Sequence, residues 1–526
     1  PVHWLVALHG TDTVPVEFAH TTAGRATRGH RFLSPQSFDL PSAGDYESRL
    51  EAAHVVVDPE VRKARMVDAL HAACKELGGV LVPDDFLVHE CATLVEEPHV
   101  VPGRFDPAFL KLPEGVVISV MRDHQRYFAV RDAGGKLLPA YLNVVNTAEA
   151  PQTISAGNDR VLQARLKDAQ FFVEEDRKSS LHSRVVGLDR VVFQTKLGSI
   201  GDKVRRIREL VLALGDGEEA KLAAEAARLA KTDLISLIVG EFPELQGEMG
   251  AFYAREEGIH PDVATAIAEH YWPKGAGGAV PSQVVGALVA VADRADTLVG
   301  CFGIGLEPTG SADPFALRRA AVGIMRIANE GPRDFDLHST LSAAYDHYEG
   351  VALKGKDEVL AALDAFFRAR LRAHYAEGRP GDLVDACLAA WPGTSLRDLD
   401  ARVRAVTAFR EMPEYESLSV AFKRAFNIAK DAPAGDIDVA LLTDEAEKAL
   451  AERFQAVRGP VDGAVAEGRY EDALRLIAKD LRGPIDAFFE QVFVMVDDPK
   501  VRDNRLRLLG GIARMLTAIA HFNQLS

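Results

Sequence analysis

Glu241, Glu244 and Glu248 stand among apolar residues in the stretch DLISLIVGEFPELQGEMGAFYA (233–254), and His270, Asp293 and Asp296 follow further along the chain. Imidazoles and carboxylates on neighbouring helices are the ligands that hold a divalent cation and activate a bound water. The residue types therefore raise metal-assisted hydrolysis of a phosphate ester as the first chemistry to weigh.

The pattern is incomplete for that chemistry. Enzymes of the HD superfamily hold their metal with a His, an adjacent His-Asp pair and a later Asp. None of the 16 histidines is followed by Asp, and Glu241-Phe242 stands where the pair is needed. Phe242 cannot ligate a metal. Asp293 and Asp296 are then expected as polar residues on a solvated helix face, or salt-bridged to Arg294. The three glutamates are expected to fix the turn or to pair with nearby arginines. Other catalytic patterns are missing as well. There is no G-x-x-x-x-G-K-[ST] phosphate loop and no G-x-S-x-G elbow; GCFGIG (300–305) holds a lone G-x-G, and His89-Glu90 has no second His after it. No catalytic residue and no metal ligand is assigned to the chain.

The elements around these residues set the frame. A chain of 526 residues suggests roughly three to four domains. Its 47% hydrophobic and 26% charged residues fit a soluble globular protein, and no apolar run is long enough to span a membrane. The opening PVHWLVALHG has no initiator Met and no basic leader, so it is read as an entry into the middle of a domain of a longer protein. Cys74, Cys91, Cys301 and Cys387 lie far apart with no C-x-x-C pair, which fits a reducing cytoplasm.

Residues 1–155 read as an α+β domain. VRKARMVDALHAACKEL has helical spacing, with Val61, Met66, Leu70 and Cys74 on one face. EGVVISVMRDHQRYFAVRDAGGKLLPAYLNVVN gives three apolar β-rich runs, the last two joined by a hairpin at Ala133-Gly134-Gly135. Beyond these the chain reads as helical. GDKVRRIRELVLAL places Val204, Ile207, Val211 and Leu214 on one face and Arg205, Arg206 and Arg208 largely off it, with Asp202 as its cap. In the last block, Asp498 and Pro499 start a helix with Val501, Leu508, Ile512 and Leu516 on a common side.

The formal charge of −16 excludes a bulk basic coat, so any nucleic acid must meet local basic faces. Between Ser155 and Leu210 there are 12 Lys and Arg against 8 Asp and Glu. Arg318, Arg319 and Arg326 form a second cluster, Lys423 and Arg424 a third, and Arg502, Arg505 and Arg507 a fourth. Any one of them fits a solvated helix face; several on an acidic chain favour a localised polyanion partner. Tyr127 and Phe128, after His124-Gln125-Arg126, either stack on exposed bases or pack as strand residues.

MRDHQRYFAV (121–130), GNDRVLQARLKDAQFF (157–172), FQTKLGSIGDK (193–203), EFPELQGEMGAFYA (241–254), GSADPFALRRAAVGIMRI (310–327) and DDPKVRDNRLRLL (497–509) occur in that order. From RATRGHRF (25–32) to the C-terminus the chain strongly resembles the β subunits of bacterial heterotetrameric glycyl-tRNA synthetases, which are longer at the N-terminus. The resemblance implies a multidomain, mostly α fold: an N-terminal α+β domain (1–155), an HD-like helical domain (156–330), a helical linker (331–400) and a C-terminal helical anticodon-binding domain (401–526). KRAFNIAK (423–430) and the DNRLRLL helix match the last of these.

The same resemblance implies a division of labour. The α subunit of an α2β2 assembly carries the class II core and uses ATP and Mg to make glycyl-adenylate. The β chain binds glycine tRNA, holds no cofactor and works in the cytoplasm. Its tRNA-binding candidates are His124, Gln125, Arg126, Arg165, Lys196, Arg318, Arg319, Lys423, Arg424, Arg502, Asn504 and Arg505. Asn504 and Arg505 alternatively cap or staple helices, and Arg318 and Arg319 alternatively pin Asp313 and its loop.

Overall fold

The computed structural model describes every residue except 1, 148, 276, 414, 431, 434 and 526. The chain forms two compact units. The first comprises Pro1–Ser180 with Asp233–Phe252, and the second comprises Leu181–Thr232 with Tyr253–Ser526.

In the first unit, strands β1 (Val80–Leu81), β2 (His99–Arg104), β3 (Tyr127–Arg131) and β4 (Leu137–Val145) form an antiparallel sheet in the order β1-β3-β4-β2. Helices α1 (Pro59–Glu76) and α2 (Asp85–Leu94) cover it. Met66, Leu70 and Cys74 meet Leu87, Phe128 and Leu142 in the core. Val61, placed on the same face by spacing, is instead exposed in the first turn of α1. The β3–β4 hairpin turns where expected, because the Asp132 carboxylate accepts from the Gly134 and Lys136 amides.

The first of the three β-rich runs is not a strand. Glu114–Gln125 is a helix, α3. Val116, Val117, Val120 and Met121 are fully buried, and their spacing follows a helical stripe rather than the alternation of a strand. Burial of that stripe outweighs the strand preference of three valines. Arg126 ends α3 in the left-handed region at φ 59°, which turns the chain directly into β3. Tyr127 and Phe128 are therefore core residues, and Tyr127 stacks on Tyr141 at 4.4 Å.

Helix α4 (Pro151–Asp176) closes this unit and holds the 233–252 segment. Asp176 accepts from the amides of Leu237 and Ile238, and Asp233 accepts from those of Gly247 and Gly250. Of the three glutamates, Glu241 lies 3.9 Å from Arg165, Glu244 accepts from the Ser119 hydroxyl, and Glu248 packs against Gly115. A Cβ at position 115 would come within 2.3 Å of the Glu248 carboxylate. These carboxylates bind the turn to its neighbours and do not converge on one another.

The second unit is built of helices. Those used below are α5 (Ile200–Leu214), α6 (Gly217–Leu229), α7 (Pro261–Glu269), α8 (Val284–Gly303), α9 (Leu317–Glu330), α10 (Lys356–Tyr375), α11 (Leu396–Arg410), α12 (Tyr415–Ile428), α13 (Glu445–Ala466), α14 (Tyr470–Gln491) and α15 (Pro499–Thr517). Helix α8 is apolar on nearly all sides and packs against α5, α6, α7, α9 and α10, so it is the axis of this part. The cap of α5 is Ser199, with Asp202 as the reciprocal partner three residues in, a capping box. The Ser199 amide and Arg205 hold the Asp202 carboxyl down to about 2. Arg206, expected off the apolar face, is buried.

Helices α12 to α15 form the last bundle, with α13 and α14 as its hairpin. Asp498 caps α15 and Pro499 occupies its first turn, as the sequence predicts. Asn504 and Arg505, on α15, are 0% and 4% exposed. The Asn504 amide accepts from the Asp438 N–H at 2.7 Å and donates to the Asp438 carbonyl at 2.9 Å. Arg505 reaches Glu447 at 2.5 Å, Asp444 at 2.6 Å and the Phe493 carbonyl at 2.9 Å. One arginine thus joins α15, the start of α13 and the end of α14.

Burial pushes the Glu447 carboxyl up, but Arg505 and the amides of Asp444 and Thr443 outweigh it and hold its pKa below the ordinary value. Arg505→Ala leaves that buried carboxylate without its cation, a loss of roughly 3–5 kcal/mol. Hydrogen exchange of the α13 and α15 amides should accelerate accordingly, and Glu447→Gln in the same chain should restore part of the protection. The pair's contribution is complete above about pH 4.3 and disappears as pH falls through the lower folded value.

Candidate functional site

The acidic residues of α8 are neither solvated nor paired to Arg294. Lys203 on α5 donates to the Asp293 carbonyl at 2.9 Å, to Asp296 Oδ2 at 3.0 Å and to Thr297 Oγ1 at 2.7 Å. Its Nζ also lies 2.9 Å from Asp293 Oδ1. Lys231, just beyond α6, reaches Asp293 Oδ2 at 2.9 Å. Arg206 grips Asp296 through Nε and Nη2 at 2.6 and 3.3 Å. The Tyr348 hydroxyl donates to the Asp296 carbonyl, and its ring lies under the Arg206 guanidinium. Arg294 turns away and donates to the carbonyls of His270, Tyr271, Ala290 and Pro273.

The electrostatics explain why this cluster stays ionised. Burial alone would strip the proton from Lys203, but Asp293 and Asp296 outweigh it and raise the pKa above the lysine value. Burial likewise opposes ionisation of Asp293, and the two ammoniums overcome it, holding the carboxyl well below its ordinary range. His270 is fully buried, and burial with nearby Lys231 keeps its imidazole neutral. The carboxylate lone pairs that would face a metal ion already face ammonium and guanidinium groups, which offer no open position for water. Among the described residues, no group of three or more His, Cys, Asp and Glu is arranged to hold a metal ion.

The tRNA-binding candidates fall on both units. In the first, the His124 ring packs at a tilt against Phe242, centroids 4.8 Å apart, and Arg126 pairs with Glu90 at 2.8 Å. Gln125 is half-buried beside them, and Arg165 is exposed on α4. In the second unit, Lys196 is exposed in a short hairpin. Lys423 is half-buried on α12, while Arg424 is exposed with its guanidinium 4.4 Å from the Phe489 ring. Arg502 lies 3.9 Å from Asp503. Asn504 and Arg505 are occupied within the bundle, so their polar atoms serve packing.

Arg318 and Arg319 are differently placed. Asp313 accepts from the backbone amides of Leu317 and Arg318 at 2.8 and 3.0 Å, which starts α9 without using either guanidinium. Neither guanidinium has an ion-pair partner among the described residues. Arg318 instead lies near Arg370 on α10, and Arg319 near Arg294. Burial and these like charges pull both neighbours down, Arg294 to about 10. The Arg370 Nε is buried with no acceptor. Asp313 offsets part of this charge at Arg370, and the excess of like charges that is left attracts anions. Arg370 carries no sequence signal for this role: it lies in an ordinary amphipathic helix, far in the chain from Arg318.

Comparison with known proteins gives an independent reading. Residues 1–389 match the family described as "Glycyl-tRNA synthetase beta subunit", and residues 418–522 match the "DALR anticodon binding domain". A relative from Geobacter metallireducens, named glycine–tRNA ligase beta subunit, is 44% identical over 530 residues, covering 100% of this chain and 77% of its own. A protein of the same name from Geobacter sulfurreducens is 44% identical over 501 residues, covering 94% of this chain and 73% of its own. One from Syntrophotalea carbinolica is 43% identical over 531 residues, covering 100% and 77%.

The buried cluster sets a test of its own. Asp296→Asn should destabilise the second unit by roughly 3–5 kcal/mol, because it leaves the buried Arg206 without its carboxylate, and Lys203→Met should cost less, because Lys231 and Arg206 still hold Asp293 and Asp296. The double variant should lose clearly less than the two losses combined, read from hydrogen exchange of α8 amides. Below about pH 6.5 the unfolded chain protonates His270 while the folded chain does not, so stability of this unit is full above that pH and declines below it.

Proposed function

We propose a tRNA-binding role for this chain, which belongs to the glycyl-tRNA synthetase β-subunit family. It recognises glycine tRNA and holds it for ATP-dependent glycylation by a separate α subunit, which carries the class II core and uses ATP and Mg. The two form an α2β2 assembly in the cytoplasm. The chain itself performs no bond-making step.

The observation that carries this reading is the coincidence of the anticodon-binding-domain match, 418–522, with the helices α12–α15. In our reading residues 401–526 meet the anticodon end of the tRNA, and this match supports it. Residues 1–155 and 156–330 then take the acceptor arm, 331–400 linking them to the bundle. Glycine has no side chain to select, so discrimination must draw on the tRNA itself. Phosphate contacts position such a partner and base contacts specify it. Arg318, Arg319, Lys423, Arg424 and Arg502 are proposed contacts in the second unit, and His124, Gln125, Arg126, Arg165 and Lys196 complete the set. The buried Lys203 and Arg206 take no part.

A reconstitution assay decides between this and a hydrolase. The β chain alone should make no glycyl-adenylate. The complete β polypeptide mixed with the α subunit should charge glycine tRNA. Binding should weaken steeply, by a factor of about 1,000 or more if six phosphates are engaged, as salt rises from roughly 50 to 200 mM. Failure of the mixture to charge glycine tRNA would sink the reading.

A further inference from the structure

The C-terminal bundle contains a cavity of about 390 Å³ between α13, α15 and the segment 435–437. Phe454, Gln455 and Arg458 come from α13, and Arg507, Gly511 and Arg514 from α15. A second cavity of about 520 Å³, bordered by Phe426 and Lys430, shares Arg514 and Ala518 with the first. Gly511 lets the two main helices close on each other here: a Cβ at this position would meet the Phe454 ring at 2.7 Å.

Arg507 and Arg514 are the unusual residues. Most arginines in this acidic chain are committed to a carboxylate or a carbonyl. Among the described residues neither guanidinium forms a hydrogen bond or ion pair, although both line one cavity. The Arg507 Nε is shielded from solvent and has no acceptor. A buried donor without a partner costs about 1–3 kcal/mol, so the site is arranged for an acceptor that arrives from outside. The remaining charges are consistent with this. Asp462 lies 3.7 Å from Arg458, and Asp436 lines the cavity on the 435–437 segment.

We infer that this cavity binds one nucleotide of single-stranded RNA, with its phosphate on Arg507 and Arg514 and its base toward Gln455 and Asp436. Guanidinium forks match phosphate oxygens, and splayed-out bases are read on their polar edges. A volume near 400 Å³ lies within the range of small-molecule sites. The adjoining cavity lets the strand continue past Arg514 to a second unpaired nucleotide. The inference rests on the tRNA-binding reading and places one anticodon-loop nucleotide in this pocket.

The test is footprinting of glycine tRNA on the full chain, with Arg507→Gln/Arg514→Gln as the variant. The variant should lose anticodon-loop protection while keeping protection elsewhere on the tRNA. Its affinity should fall on the order of tenfold or more, and the salt dependence should become shallower by about one ion, for the one phosphate released. Neither guanidinium bonds within the protein, and the Arg507 donor is unsatisfied there, so the variant should unfold no earlier than the unsubstituted chain. An Arg507→Lys/Arg514→Lys chain, which keeps the charge, should regain part of the affinity. Unchanged anticodon-loop protection in the Gln variant overturns the pocket and leaves the tRNA-binding role standing. No protection anywhere by the unsubstituted chain overturns both.

Discussion

Two buried carboxylates and the cations that neutralise them hold the second unit in register. Asp293 and Asp296 sit on the central helix, and Lys203 and Arg206 reach them from α5 and Lys231 from the turn after α6. Charges at this depth exist only when paired, since the cost of desolvating them must be offset by geometry and hydrogen bonds. The pairing therefore fixes where α5, the end of α6 and α8 lie. It also decides what the acidic residues can do. Carboxylates held by ammonium groups give a rigid strut, and α9 and α10 pack against the helix that carries it.

An acidic chain that binds RNA has a distribution problem rather than a net-charge problem. This chain handles it by pairing. Helix after helix sets a carboxylate three or four residues from an arginine, as in Arg228–Glu225, Arg368–Asp364 and Arg404–Asp400. Such exposed pairs add little stability, but they cancel the local field. Positive potential then survives where the pairing lapses, as at Arg318, Arg319, Arg507 and Arg514. Under the proposed function, the tRNA is steered to such places by what the rest of the surface withholds.

Much of the architecture is legible in the sequence because its signals are local. The Asp498-Pro499 start of α15 and the hairpin after β3 depend on a few adjacent residues. The missing His-Asp pair is equally local. Errors arise where burial overrides a local preference. The valines of α3 look like a strand until their stripe is buried against the sheet. Arg206 looks like a surface residue until Asp296 meets it across two helices. The site shows the same limit. Arg318 and Arg319 stand out as a dipeptide, but Arg370 joins them only through the fold. Asn504 and Arg505 have the right chemistry for RNA, yet Asp438, Glu447 and Asp444 claim them. Arg514 has no neighbouring basic residue to mark it, and becomes notable only as a wall shared by two cavities.

Ultraviolet crosslinking of glycine tRNA to the chain, with the linked peptides located by mass spectrometry, tests the central claim most directly. The account predicts crosslinks concentrated on peptides carrying the unpaired guanidiniums, α9 and α15 above all, with anticodon-loop nucleotides on α15. Crosslinks spread over the acid-paired helices, or equal in pattern and yield for a tRNA of another amino acid, would contradict it.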